Sequence, residues 1–264
     1  MTLEEAIAKI KPLDHNAMEI AQKRWDSIAK PLHSLGKLET LLIQVAGITG
    51  NAEVDLSRRG LIAMCADNGV VEEGVTQTGQ EVTAIVAENF LKYDTSVGVM
   101  CKQNHAEIFP VDMGMVTDTK VRTDHKIAYG TQNMTKGPAM TREQAVKGLE
   151  AGIDMVRELN DKGYRILATG EMGIGNTTTS SAVASVLLKQ PVEEMTGRGA
   201  GLTSEGLVRK INAIKKAITL NKPDPEDAID VLAKVGGLDI AGMAGVFLGG
   251  AVYGIPVVMD GFIS

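Results

Sequence analysis

Aromatic side chains are scarce in this 264-residue chain: four Phe, four Tyr and one Trp make up 3% of it. A groove reading nucleic acid by base stacking needs more of them, and a net charge of -6 denies it a basic face. Cysteine is limited to Cys65 and Cys101, which excludes a disulfide framework and a Cys-rich metal site and fits a reducing cytoplasm. His15, His33, His105 and His125 are scattered, so no histidine constellation points to zinc or to a triad. The first residues carry acids and no apolar core, so a secretory signal is not expected. Ile240 to Met259 holds no charged residue, yet five glycines and Pro256 interrupt it, and it reads as a buried helix and strand rather than a membrane span.

With 44% hydrophobic residues, the chain can bury a large α/β core. Short apolar runs at Leu61–Ala66, Glu107–Val111, Arg165–Thr169 and Pro256–Met259 alternate with helical stretches, which predicts a mostly parallel sheet with helices on both faces. Each run ends near an acid: Asp67, Asp112, Glu171 and Asp260. Ligands of open α/β sheets bind beyond the carboxyl ends of the strands, so these four acids are expected to outline a pocket mouth. Thr141-Arg-Glu-Gln144 is a capping box for a helix to about Leu159, and Asp224 or Glu226 is expected to open the helix that reaches Lys234. Residues 1–50 are helical by periodicity, with an interruption near Lys30-Pro31. They form an expected appendage, and residues 51–264 a Rossmann-like domain.

The most informative run is Thr169-Gly-Glu-Met-Gly-Ile-Gly-Asn-Thr-Thr178, where a strand breaks into a glycine turn and then starts a helix. A helix N-terminus reached this way offers free N–H groups and a positive dipole end to a phosphate, with Glu171 beside it. The spacing fits neither a dinucleotide loop nor a P-loop. Further on, Thr196-Gly-Arg-Gly-Ala-Gly-Leu202 and the basic pair Arg209-Lys210 add a second glycine turn and a lysine to this anion cradle. Carboxylates beside a phosphate cradle suit attack on a ribosyl carbon or acid/base work on a heterocycle, and no magnesium-type acid spacing supports a metal-dependent hydrolase.

A set of motifs then carries a resemblance. Arg24-Trp-Asp-x-x-x-Lys-Pro31, Ser34-Leu-Gly-x-Leu-Glu39, Ala66-Asp-Asn-Gly-Val70, Gly74 to Thr83, Val111-Asp-Met-Gly114, Gly137-Pro-Ala-Met-Thr141, Gly170 to Thr178, Gly197-Arg-Gly199 and Gly236-Gly-Leu-Asp-Ile-Ala241 span nearly the whole chain. In that order they resemble the nicotinate-nucleotide:dimethylbenzimidazole phosphoribosyltransferase family. The resemblance implies transfer of the phosphoribosyl group of nicotinate mononucleotide to 5,6-dimethylbenzimidazole or a related base, without a cofactor or metal. The products would be α-ribazole 5'-phosphate and nicotinate, in cobamide synthesis.

It also implies a cytoplasmic homodimer with neither nucleic acid nor membrane as partner. The mononucleotide would lie on Glu171, Met172, Gly173, Ile174, Gly175, Asn176, Thr177, Gly197, Arg198, Gly199 and Lys210, with Lys210 on the phosphate. The accepting base would lie over Gln77 to Glu81 and Met172, with Gln80 as its polar contact. Thr78-Gly79 stands where the family often has Tyr-Pro, and His33 where it often has glycine, which leaves the base open. The resemblance puts the family's general base, a glutamate, in a segment that would follow Ser264. Glu171 is therefore expected to position and stabilise, and a slow transferase or a non-catalytic nucleotide binder is the expectation for residues 1–264.

Overall fold

The computed structural model describes residues 1–264. Helices α1 (Leu3–Lys9), α2 (His15–Ser27) and α3 (Lys37–Thr49) precede strand β1 (Arg59–Ala66). Helices α4 (Glu81–Lys92) and α5 (Ser96–Gln103) lead to β2 (Ala106–Gly114), and α6 (Arg142–Asp161) leads to β3 (Ile166–Met172). Then come α7 (Asn176–Leu187), the short α8 (Val192–Met195), α9 (Ser204–Asn221), α10 (Ala228–Val235), α11 (Leu238–Tyr253) and β4 (Val257–Val258). The strands form one parallel sheet in the order β2-β1-β3-β4, which brings β1 and β3 to its centre.

Parallel strands covered on both faces need near-continuous apolar sequence, and β1 supplies it. Ile62, Met64 and Ala66 point to the face packed by α6 and α11, whereas Ala63 and Cys65 meet Phe90 and Cys101 under α4 and α5. The expected α/β class, a mostly parallel sheet with helices on both faces, is what is found. Small residues let α11 approach α6 closely: a Cβ on Gly152 would lie 2.1 Å from the Gly242 carbonyl, and one on Gly245 would lie 2.0 Å from that of Leu149. The low polarity of Ile240 to Met259 serves the buried helix α11, whereas the expected buried strand is corrected: β4 is a two-residue strand at the sheet edge with Val258 exposed, and no helix of the chain is long and apolar enough to cross a membrane.

The N-terminal helices divide their loyalties. Leu3 and Ala6 of α1 enter the principal core, whereas α2 and α3 pack on each other around Ala17, Ala21 and Ala46. Between them, buried Glu39 is paired with Lys30 at 2.9 Å, and His33 sits in the left-handed region at φ 57°, where glycine is favoured. The capping box at Thr141 forms as expected. One boundary differs: the cap of α10 is Asp227, whose Oδ1 accepts from the amides of Ile229 and Asp230 at 3.1 Å. Asp224 instead accepts from the Glu226 amide within the preceding turn.

Candidate active site

Strand β3 delivers Glu171 and Met172 to the carboxyl end of the sheet, where the chain turns through Gly173-Ile174-Gly175 into α7. The turn is tight: a Cβ on Gly173 would lie 2.3 Å from Asp239 Oδ2 and 2.5 Å from the Ala66 carbonyl. Gly175 takes φ 95°, a conformation glycine adopts without strain, and caps α7. The Ile174 amide donates to Thr83 Oγ1 at 3.1 Å, fastening the turn to α4. The amides of Gly175 and Thr177 have no partner within the protein, as the first turn of a helix dictates.

The second glycine loop faces this turn. A Cβ on Gly199, at φ 56°, would lie 2.8 Å from Thr177 Oγ1 and 3.5 Å from Lys210 Nζ. Lys210 reaches in from α9 and donates to Thr177 Oγ1 at 2.9 Å and to the Gly197 carbonyl at 3.1 Å. It is only 1% exposed and has no carboxylate partner, and burial lowers its pKa to about 8. A buried ammonium held by neutral oxygens is the arrangement an anion completes.

Glu171, Thr177, Gly197, Gly199, Lys210 and Asp260 line one end of a cavity of about 1180 Å³. Its other end runs over the sheet past Leu61, Ala63 and Phe90. Burial raises the Glu171 carboxyl above the usual carboxylate range, the Asn176 amide opposes this, and the charge of Asp260 adds to it. Asn176, at the start of α7, donates through Nδ2 both to Glu171 Oε2 and, at 3.1 Å, to Asp239 Oδ2.

Other expected contacts are spent elsewhere. Gln80 Nε2 donates to the Asn68 carbonyl at 3.2 Å, Met172 packs toward the core under α4 and α5, and neither lines the cavity. The Arg198 guanidinium folds back onto the Leu202 carbonyl and Ser204 Oγ, holding its own loop. Gln77, beside the expected base segment, donates to the Gly201 carbonyl and so ties that segment to the second loop.

Of the four strand-end acids, only Glu171 and Asp260 reach the cavity, which corrects the expected mouth. Asp67 and Asp112 are fully buried caps: Asp67 Oδ2 accepts from the Val116 amide at 2.8 Å and Asp112 Oδ1 from the Met115 amide at 2.7 Å. Asp239 is the acid that spacing did not single out. Its only sequence signal is its place in Gly236-Gly-Leu-Asp. Elsewhere the fold gathers Asp124, His125 and Glu158, with Glu158 far from the other two in sequence, but the Arg122 guanidinium already bonds both carboxylates.

Comparison with known proteins gives a consistent result. A family model described as phosphoribosyltransferase matches residues 10–264. The nicotinate-nucleotide–dimethylbenzimidazole phosphoribosyltransferase of Ruminiclostridium cellulolyticum is 54% identical over 266 residues, covering 100% of this chain and 76% of that protein. The protein of the same name from Clostridium acetobutylicum is 53% identical over 266 residues, with the same coverage of 100% and 76%. Among solved structures, CobT from Thermus thermophilus superposes with a TM-score of 0.87 at 36% identity, over 94% of this chain and 75% of that one.

Proposed function

The chain belongs to this phosphoribosyltransferase family, and we propose that it transfers the phosphoribosyl group of nicotinate mononucleotide to 5,6-dimethylbenzimidazole or a related lower-ligand base. The products are α-ribazole 5'-phosphate and nicotinate, in cobalamin synthesis. The observation that carries the site assignment is the unpaired Lys210 ammonium, facing the first turn of α7 across a cavity that Glu171 also lines.

In this reading the phosphate lies between the free amides of Gly175 and Thr177, the Gly197 to Gly199 loop and Lys210. That leaves the ribose toward Glu171 and Asn176. The C1'–N bond to nicotinate breaks with its electron pair going to the departing ring, while a base nitrogen forms the new C1'–N bond from the opposite face. The N–H proton of the base passes to a general base, the glutamate that the family resemblance places after Ser264. Positive charge grows on the ribosyl carbon between the two, and the Glu171 carboxylate stabilises it through a dry, fixed geometry. Met172, Gly173, Ile174 and Gly175 shape the turn, Arg198 stiffens its loop, and Gln80, whose Nε2 is held by the Asn68 carbonyl, is the proposed polar contact of the accepting base through its Oε1.

The same proposal includes an N-terminal helical part at residues 1–50, a Rossmann-like part at 51–264, a cytoplasmic location and a homodimer. The separate small core of α2 and α3 supports the division, and the exposed Ile20, Leu32, Leu35 and Leu41 beside it support self-association.

The test is nicotinate release from nicotinate mononucleotide, followed by chromatography with and without 5,6-dimethylbenzimidazole. Base-dependent release with formation of the riboside phosphate is expected. Phosphate release, or hydrolysis indifferent to the base, would count against transfer.

A further inference from the structure

Asp239 is wholly buried, yet it is a carboxyl group beside the cavity rather than in the scaffold alone. The Asn176 side-chain amide divides its two protons between Glu171 Oε2 and Asp239 Oδ2, so the two carboxyls are the ends of one bridge. Gly173 and Gly237 make room for it: a Cβ at either position would lie within 2.3 or 2.4 Å of an Asp239 oxygen. Beside the pair, the buried Asn68 side-chain amide lies against the Asp239 carboxyl and lowers its pKa, and Thr179 Oγ1 donates to Asn68 Oδ1 at 3.4 Å. We propose that Asp239 is a positioning residue for the transfer, which orients the Glu171 carboxylate at the cavity wall through Asn176. This inference rests on the assignment of Glu171 to the transferase site.

A capping role for α11 accounts for only part of this. Asp239 does accept from the Ile240 amide at 3.0 Å in the first turn of α11, and a helix N-terminus favours the charged carboxylate. Nevertheless its pKa is raised to about 7, by burial first and by the charge of Glu171 next, against the bonds from Asn176, Ile240 and Asn68. Two carboxyls on one amide behave as a pair, and the fully enclosed member keeps the shared proton while the one open to the cavity ionises. The other titratable groups around them are Asp260 after β4, the Cys65 thiol and Asp112 beneath, and Lys210, which lines the same cavity as Glu171 but bonds Thr177 and Gly197. With its proton, Asp239 leaves Glu171 as the single negative charge on the Asn176 bridge.

Carboxyl-carbon NMR titration of the full chain tests this without turnover, each resonance being assigned by its loss in Glu171→Gln or Asp239→Asn. In the wild type an Asp239 step near pH 7 is expected. Glu171→Gln should move that step down by about one pH unit, since the repelling charge is gone. Asp239→Asn should fold and remove from the pH profile of nicotinate release the step that the wild type shows near 7. An Asp239 midpoint unmoved by Glu171→Gln, or the same pH profile in a folded Asp239→Asn, overturns the inference. Coupled carboxyls in a protein that releases no nicotinate would instead contradict the transferase reading and leave the coupling standing.

Discussion

Lys210 Nζ on α9 lies 2.9 Å from Thr177 Oγ1 in the first turn of α7, so one buried cation clamps the second glycine loop to the first. The clamp has a stability consequence. A desolvated charge without a counter-charge is a cost in the free protein and an asset once an anion arrives.

Lys210→Met should therefore weaken nicotinate mononucleotide binding by about ten- to a hundred-fold, the worth of a charge-assisted bond to phosphate. Thermal stability should hold or rise, because the unpaired buried ammonium is removed while its stem volume is kept. Calorimetric titration and thermal unfolding of the same variant check both halves.

The two buried groups should leave opposite marks on stability against pH. Lys210 titrates at about 8 in the fold but near 10.5 when unfolded, so across that window the unfolded chain holds more protons and this group's contribution rises with pH. Asp239 keeps its proton to about 7 in the fold but loses it near 3.8 unfolded, so its contribution falls as pH rises from about 4 to 7. Denaturant unfolding from about pH 4 to 10 should show the alkaline rise missing in Lys210→Met and the acid-to-neutral fall reduced in Asp239→Asn.

Gly199→Ala places a side chain at φ 56° and presses it toward Thr177 Oγ1 and Lys210 Nζ. The backbone cost is about 1–2 kcal/mol, and mononucleotide affinity should fall with it because the loop that faces the phosphate must shift. Unfolding and binding measured on one preparation check the two effects together.

Gly152→Ala and Gly245→Ala each drive a methyl into backbone at the crossing of α6 and α11. Each should cost about 1–3 kcal/mol. Gly137→Ala, with nothing within 4 Å of the added carbon, is the control and should change stability little. Thermal melts rank the three.

Most of the fold is written in local pattern. The apolar runs before Asp67, Asp112, Glu171 and Asp260 mark all four strands, since a covered parallel strand must be apolar throughout, and the glycine turn before Asn176 marks the cradle. What pattern does not convey is which strand-end acids face inward. Asp67 and Asp112 cap the backbone at Val116 and Met115, contacts made by loops whose course no periodicity encodes. Asp239 is silent in the sequence for the complementary reason: it lies 63 positions from Asn176 and meets it only when α11 packs beside α7. Arg198 and Gln80 show that residue type alone does not say where a donor is spent.

The phosphate site is tested most directly by comparing nicotinate mononucleotide with its dephosphorylated riboside, each titrated against the wild type and Lys210→Met. The cradle requires the mononucleotide to bind the wild type at least about ten-fold more tightly than the riboside, and requires that margin to shrink in Lys210→Met. Equal affinity for the two ligands, or a margin that Lys210→Met leaves intact, would contradict a phosphate site at the junction of the two glycine loops.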